Sequence, residues 1–84
     1  MKVTTAEQLA NCLQNIRQAQ GLSQSRVGEK IGLRQATISS FEQKPEGSRL
    51  DTLFKLLSAL ELEIELKPRN PGQDAKTSSW DQEW

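Results

Sequence analysis

The chain has 84 residues, room for one small domain, and a chain of this size buries only about 60% of its unfolded surface, so it is marginally stable alone. Its 11 basic and 11 acidic residues cancel, and it has no histidine and a single cysteine, Cys12, which excludes the usual general base, the commonest metal ligand, an intrachain disulfide and a thiolate-rich zinc site. No apolar run approaches the ~20 residues that span a membrane, and the N-terminus lacks the apolar stretch of a secretory signal; a soluble cytoplasmic protein with no enzymatic activity, cofactor or metal is expected.

The first helix is predicted to begin at Thr4 or Thr5, since Thr4 with Glu7 and Thr5 with Gln8 both fit a capping box. Leu9, Cys12, Leu13 and Ile16 share one helical face, so Cys12 reads as a small buried hydrophobe rather than a reactive thiol. Gly21 ends the run. Ser23 then caps a short second helix, about Gln24–Lys30, which Gly32 stops. A third helix is predicted over about Gln35–Gln43, with Ile38 and Phe41 inward. Pro45 and Gly47 break it into a loop. Ser48 or Asp51 is the expected cap of a fourth helix running to about Leu60, with Leu53, Phe54, Leu56, Leu57 and Leu60 as its apolar face.

From Glu61 to Lys67 charged and apolar residues alternate, the period of a strand with one buried face. A lone strand has no ladder partner in a helical chain, and pairing with its copy across a two-fold axis is the economical solution. Leu62, Ile64 and Leu66 would form the apolar face of that dimer contact. The other reading, a continued fourth helix, would set Glu61 and Glu65 one turn apart as like charges. Residues 1–67 are therefore expected to form the folded domain. Residues 68–84 read as a flexible polar tail whose two tryptophans, Trp80 and Trp84, are candidate partner anchors. Docking of these rings on the chain's own apolar surface is the alternative.

Net charge zero conceals a split. Residues 1–60 carry eight basic against five acidic side chains, a net of +3; residues 61–84 carry three against six, a net of −3. Two different partners would fit such a division, although two ordinary solvated surfaces would as well.

The segment Gln24–Gln43 is the most informative. Two short helices joined by a glycine-containing turn make a helix-turn-helix. Gly28 gives the small residue their crossing needs, despite costing about 1 kcal/mol against alanine within a helix. Gly32 tolerates the positive φ of the turn. Val27, Ile31, Leu33, Ile38 and Phe41 lock the pair to the rest of the domain.

The run Arg17, Gly21-Leu22-Ser23-Gln24, Gly28, Ile31-Gly32-Leu33, Gln35-Ala36-Thr37-Ile38-Ser39 and Phe41-Glu42 resembles the XRE/Cro/CI helix-turn-helix family. Leu50 to Leu60 is similar to that family's fourth helix. The resemblance covers roughly residues 7–60 and implies an all-α, four- to five-helix lambda-repressor-like domain, here followed by a short C-terminal strand pairing across a dimer. Gln35-Ala36-Thr37-Ile38-Ser39, the Leu-Glu-Leu strand and the Glu83-Trp84 ending are most similar to HipB-type antitoxins. That resemblance implies a homodimer that binds double-stranded operator DNA, represses its own operon and neutralises a HipA-like serine/threonine kinase toxin.

The expected base readers on helix three are Gln35, which matches adenine bidentately, and Arg34, which matches guanine. Ala36 and Thr37 allow close approach, and Ser39 reaches a base edge or phosphate. Gln24 is expected on a phosphate, with Ser40, Lys44, Arg49 and Lys30 as further backbone contacts. Where Arg34 stands many family members have a capping Ser or Thr. Arg17 and Glu42 resemble the family's ion pair bracing helix one to helix three. A standalone repressor without a toxin, and an adaptor that keeps the fold without binding DNA, are the competing functional readings.

Overall fold

The computed structural model describes residues 2–69. Among these the helices are α1 (Ala6–Ala19), α2 (Gln24–Ile31), α3 (Gln35–Gln43) and α4 (Leu50–Ala59), with one 3-10 turn over Pro45–Gly47. None is long and apolar enough to cross a membrane. The expected tail and both of its tryptophans, Trp80 and Trp84, lie outside the described residues.

The ends of α1 and α2 have local causes. Thr5 is the N-cap of α1, its hydroxyl accepting from Gln8 N–H at 3.0 Å. The Gln8 carboxamide reaches back to accept from Thr4 N–H at 2.8 Å, so both threonines take part. At the other end Gly21 stands at φ 73°; Leu22 N–H reaches Arg17 O and Gly21 N–H reaches Gln18 O, which closes α1 in a Schellman motif. Ser23 caps α2 by accepting from Arg26 N–H at 3.1 Å. Gly32 ends α2 at φ 72°, and Leu33 N–H returns to Gly28 O at 2.9 Å.

Three expectations are corrected. The N-cap of α4 is Arg49, without a side-chain cap bond, rather than Ser48 or Asp51. The breaker loop contains an ordered 3-10 turn in which Pro45 is buried. Phe54 does not face the core but is 54% exposed. The inward face of α4 is formed by Leu56, Leu57 and Ala59, with Leu53 packed beside them and Leu60 at the helix end.

The core is Ala10, Leu13, Val27, Ile38, Phe41, Leu56, Leu57, Ala59 and Leu60, with Leu9, Ile16, Leu22, Ile31, Leu33, Leu53 and Leu62 packed around it. Every helix contributes. Cys12 is only half-buried and stands outside this set, so its expected place in the core is also corrected. Two polar side chains tie α1 and α2 to the end of α4: Gln20 Nε2 donates to Leu60 O at 3.0 Å and Lys30 Nζ to Ala59 O at 3.2 Å. Cations are favoured at a helix C-terminus, where the last carbonyls lack partners.

The fourth helix does not continue through the alternating segment. Glu61 takes φ 61°, the one non-glycine residue with positive φ among the described residues. Leu62 N–H bonds Leu57 O at 2.8 Å and Glu61 N–H bonds Ser58 O at 3.1 Å, a second Schellman closure with Glu at the position that favours glycine. Residues 62–69 carry no helix, and no strand ladder exists among the described residues of this one copy.

Candidate nucleic-acid interface

The α2–turn–α3 unit is held by contact between backbones. Gly28 lies against the turn so closely that a Cβ placed on it would overlap the Leu33 carbonyl oxygen, with Leu33 C and Arg34 C the next neighbours at 3.4 and 3.6 Å. This crossing brings the first turns of α2 and α3 together and leaves one face of α3 open.

On that face Gln35, Ala36, Ser40 and Gln43 are exposed, and Thr37 and Ser39 are half-buried. Ile38 and Phe41, on the opposite side, are buried. Ser39 Oγ accepts from Gln43 Nε2 at 3.4 Å. Arg34 is the N-cap of α3 in extended conformation, makes no capping bond and is exposed. Its guanidinium and the ammonium of exposed Lys44 have no ion-pair partner among the described residues. Arg49 is bound to Asp51 at 3.1 Å, and this exposed arginine holds the Asp51 carboxyl below its usual value, first through the side-chain hydrogen bond. Lys30 Nζ donates to Ala59 O at 3.2 Å.

Behind this face lies the ion pair. Arg17 Nε meets Glu42 Oε2 at 2.7 Å and Arg17 Nη2 meets Oε1 at 3.2 Å, with side-chain exposures of only 10% and 6%. Arg17 Nη1 also donates to Leu22 O at 2.8 Å. The bidentate fork thus fastens α1, the α1–α2 turn and α3 together. Gln24 Nε2 adds a bond to Glu42 Oε1 at 2.9 Å. Outward, Gln35 Nε2 donates to Gln24 Oε1 at 3.3 Å, and Ser25 Oγ donates to Gln35 Oε1 at 3.4 Å.

The structure therefore gathers Arg17, Gln24, Gln35 and Glu42 into one network. Arg34, Ala36, Thr37, Ser39, Ser40 and Lys44 lie on or beside the same helix without joining it. Ser25 was missed in the sequence; its signal was its place in the first turn of α2, next to the α3 N-terminus once Gly28 fixes the crossing. Among the described residues no group of three or more His, Cys, Asp or Glu is placed to hold a metal ion. A shallow surface groove lined by Ile31, Asp51, Phe54, Lys55 and Ser58 contains no paired carboxylates.

A small helical domain with a polar, exposed second helix of a helix-turn-helix is the class that this fold and face define. A helix-turn-helix family model matches residues 13–67. Antitoxin HipB of Escherichia coli K12 is 40% identical over 83 residues, 99% of this chain and 94% of that protein. Antitoxin HigA1 of Mycobacterium tuberculosis is 36% identical over 61 residues, 73% of this chain but 41% of that one. Among solved structures, a HipB–O4 20mer complex has a TM-score of 0.82 at 43% identity, covering 83% of this chain and 99% of its own. A HipA–HipB–O2–O3 complex gives the same values. The chain belongs to the helix-turn-helix family and, within it, to the HipB antitoxins.

Proposed function

We propose that the chain is a dimeric, sequence-specific DNA-binding repressor and the antitoxin of a HipA-like serine/threonine kinase, acting in the cytoplasm and on its own operator. The observation that carries this reading is the open polar face of α3, with Gln35 at its first turn held against Gln24. HipB has been solved both as a HipB–O4 20mer complex and with HipA in a HipA–HipB–O2–O3 complex, which supports DNA and a HipA-type protein as the two partners.

In this reading α3 enters the major groove with its N-terminal residues on base edges. Gln35 and Arg34 read bases, Ala36 and Thr37 allow the approach, and Ser39 reaches a base edge or phosphate. Gln24, Ser40 and Lys44 hold the backbone. Arg17 and Glu42 brace the helix from behind. The half-sites lie roughly 34–36 Å apart on a palindromic operator.

Dimerisation is assigned to the segment after α4. Leu50, Phe54, Ile64 and Leu66 are exposed apolar side chains, Leu66 at 89%. A segment with exposed apolar side chains at alternate positions is suited to pairing with a second copy. Pairing of residues 61–67 with their copy satisfies the backbone and covers Leu62, Ile64 and Leu66. Residues 68–84 are then the partner-binding segment, with Trp80 and Trp84 as its anchors.

The test is affinity capture of the tagged protein with mass spectrometry, full length against a 1–67 truncation, in cells carrying the kinase. Recovery of the kinase mainly with the full chain supports the antitoxin role and the tail. Recovery of DNA and its own copy alone, in both cases, favours a standalone repressor.

A further inference from the structure

The last carbonyls of a helix have no partner within it and must be met from outside. At the end of α4, Leu56 O accepts from Leu60 N–H at 3.1 Å, and the closure through Glu61 takes two more, Ser58 O at 3.1 Å and Leu57 O at 2.8 Å. Ala59 O and Leu60 O are left over, on residues only 4% and 3% exposed. Each is met by a side chain from a different element. Lys30 Nζ, from the last turn of α2, donates to Ala59 O at 3.2 Å, and Gln20 Nε2, from the C-cap of α1, donates to Leu60 O at 3.0 Å. These two carbonyls belong to the peptide groups immediately before Glu61, where the chain turns at φ 61° out of α4 and into residues 62–67.

We propose that Gln20 and Lys30 fix the direction in which residues 61–67 leave the domain, and so set the spacing between operator half-sites that the dimer accepts. They are positioning residues, acting on DNA recognition through the geometry of the dimer. This rests on the reading of residues 61–67 as the dimer segment and of α3 as the recognition helix.

The geometry is that of a lever. The paired segments lie on one side of Glu61 and the domain on the other, and the two recognition helices lie roughly 34–36 Å apart. A turn of about 10° in the exit direction moves the far recognition helix by about 6 Å, close to two base-pair steps of about 3.4 Å. The three backbone bonds lie within residues 56–62 and set only the local turn. The two side-chain bonds set where that turn lies against α1 and α2. Because Gly28 of α2 also seats the turn before α3, the exit direction and the recognition helix are tied to the same element. The negative end of α4 favours an ammonium at this point.

The full-length protein first enriches its operator from a library of randomised duplexes. The two halves of the enriched palindrome are then moved apart or together by one and two central base pairs, and each duplex is titrated. Wild type is expected to bind the enriched spacing about tenfold or more tighter than either one-base-pair neighbour. The double variant Gln20→Met with Lys30→Met removes both donors and keeps the side-chain length. Its ratio is expected to fall to about threefold or less. Gln20→Met alone changes no charge and is expected to lower the ratio about twofold or more, which a lost phosphate contact cannot do. Lys30→Arg keeps a cationic donor and is expected to stay within about twofold of the wild-type ratio.

A phosphate contact by Lys30 would weaken every spacing evenly and leave the ratio untouched. Unchanged ratios in the double variant and in Gln20→Met overturn the proposal while the DNA-binding reading stands. Circular dichroism and sedimentation accompany each titration. Should the double variant unfold, the two single methionine variants decide by the same ratio. A folded but monomeric double variant places the two bonds in the dimer contact itself and also overturns the proposal. A wild-type protein that enriches no palindrome, or that is indifferent to spacing, removes the palindromic-operator reading and the proposal together.

Discussion

Gly28→Ala is the substitution that probes the architecture most sharply. The added methyl would overlap the Leu33 carbonyl oxygen, a backbone atom in the turn between α2 and α3. No side chain can swing aside to make room. The turn would have to retreat by about 1 Å to reach ordinary contact. Gly28 O is itself the acceptor for Leu33 N–H at 2.9 Å, so the same retreat strains the closure of α2. Overpacking costs about 1–3 kcal/mol, and a weakened hydrogen bond about 1 kcal/mol. Alanine returns about 1 kcal/mol of helix propensity. The net is a loss of about 2 kcal/mol, which lowers Tm by about 8–16 °C in a domain this small. Thermal and urea unfolding followed by circular dichroism, at fixed protein concentration, measures it. Gly47→Ala is the control: nothing lies within 4 Å of its Cβ position and its φ is not positive, so it is expected to be neutral or to stabilise by about 0.4–1 kcal/mol. A Gly28→Ala protein as stable as wild type would refute the close-approach argument.

Glu61→Gly relieves a left-handed residue at the end of α4 and is expected to leave stability unchanged or raise it by up to about 1 kcal/mol in urea titrations, because relief of strain is offset by backbone entropy. Arg17→Met or Glu42→Gln alone leaves an uncompensated group behind the recognition face and is expected to cost about 3–5 kcal/mol, with the double variant less damaging than the sum; strict additivity in the cycle would contradict a direct pair. Asp51 is held below its usual pKa by Arg49, so its contribution is present above the unfolded value and fades as pH falls through the folded one; Asp51→Asn should trim the acid limb of the stability profile only slightly, and less at high salt. Leu66→Asp, at an exposed position that carries no core packing, is expected to shift sedimentation toward monomer with folding intact; a dimer as tight as wild type would place the interface elsewhere.

The helices were legible because their signals were chemical and local. Thr5, Gly21, Ser23 and Gly32 each stand at the helix end their chemistry predicts. The start of α4 was not legible, since Arg49 caps it without a side-chain bond while two better cap formers stand nearby. Phe54 misled because apolarity marks burial somewhere, and the sequence does not say whether the burying surface belongs to the same chain. The network behind α3 was half legible. Arg17 and Glu42 came from family resemblance, and Gln24 and Gln35 from their expected contacts with DNA. That all four join through Glu42 depends on distances across a helix crossing, which spacing along the chain does not encode.

The central claim is sequence-specific DNA recognition by α3. Its most direct test is the affinity of the full-length protein for the DNA upstream of its own gene against a scrambled duplex, by fluorescence anisotropy over a range of salt concentrations, with Gln35→Ala alongside. The account predicts a dissociation constant for the upstream duplex of about 10⁻⁸ M or below at physiological salt, at least about 10³ tighter than for the scrambled one. It also predicts steep weakening with salt for both duplexes and a selective loss of the difference in Gln35→Ala. Equal, weak affinity for the two duplexes, unchanged by the substitution, would contradict it.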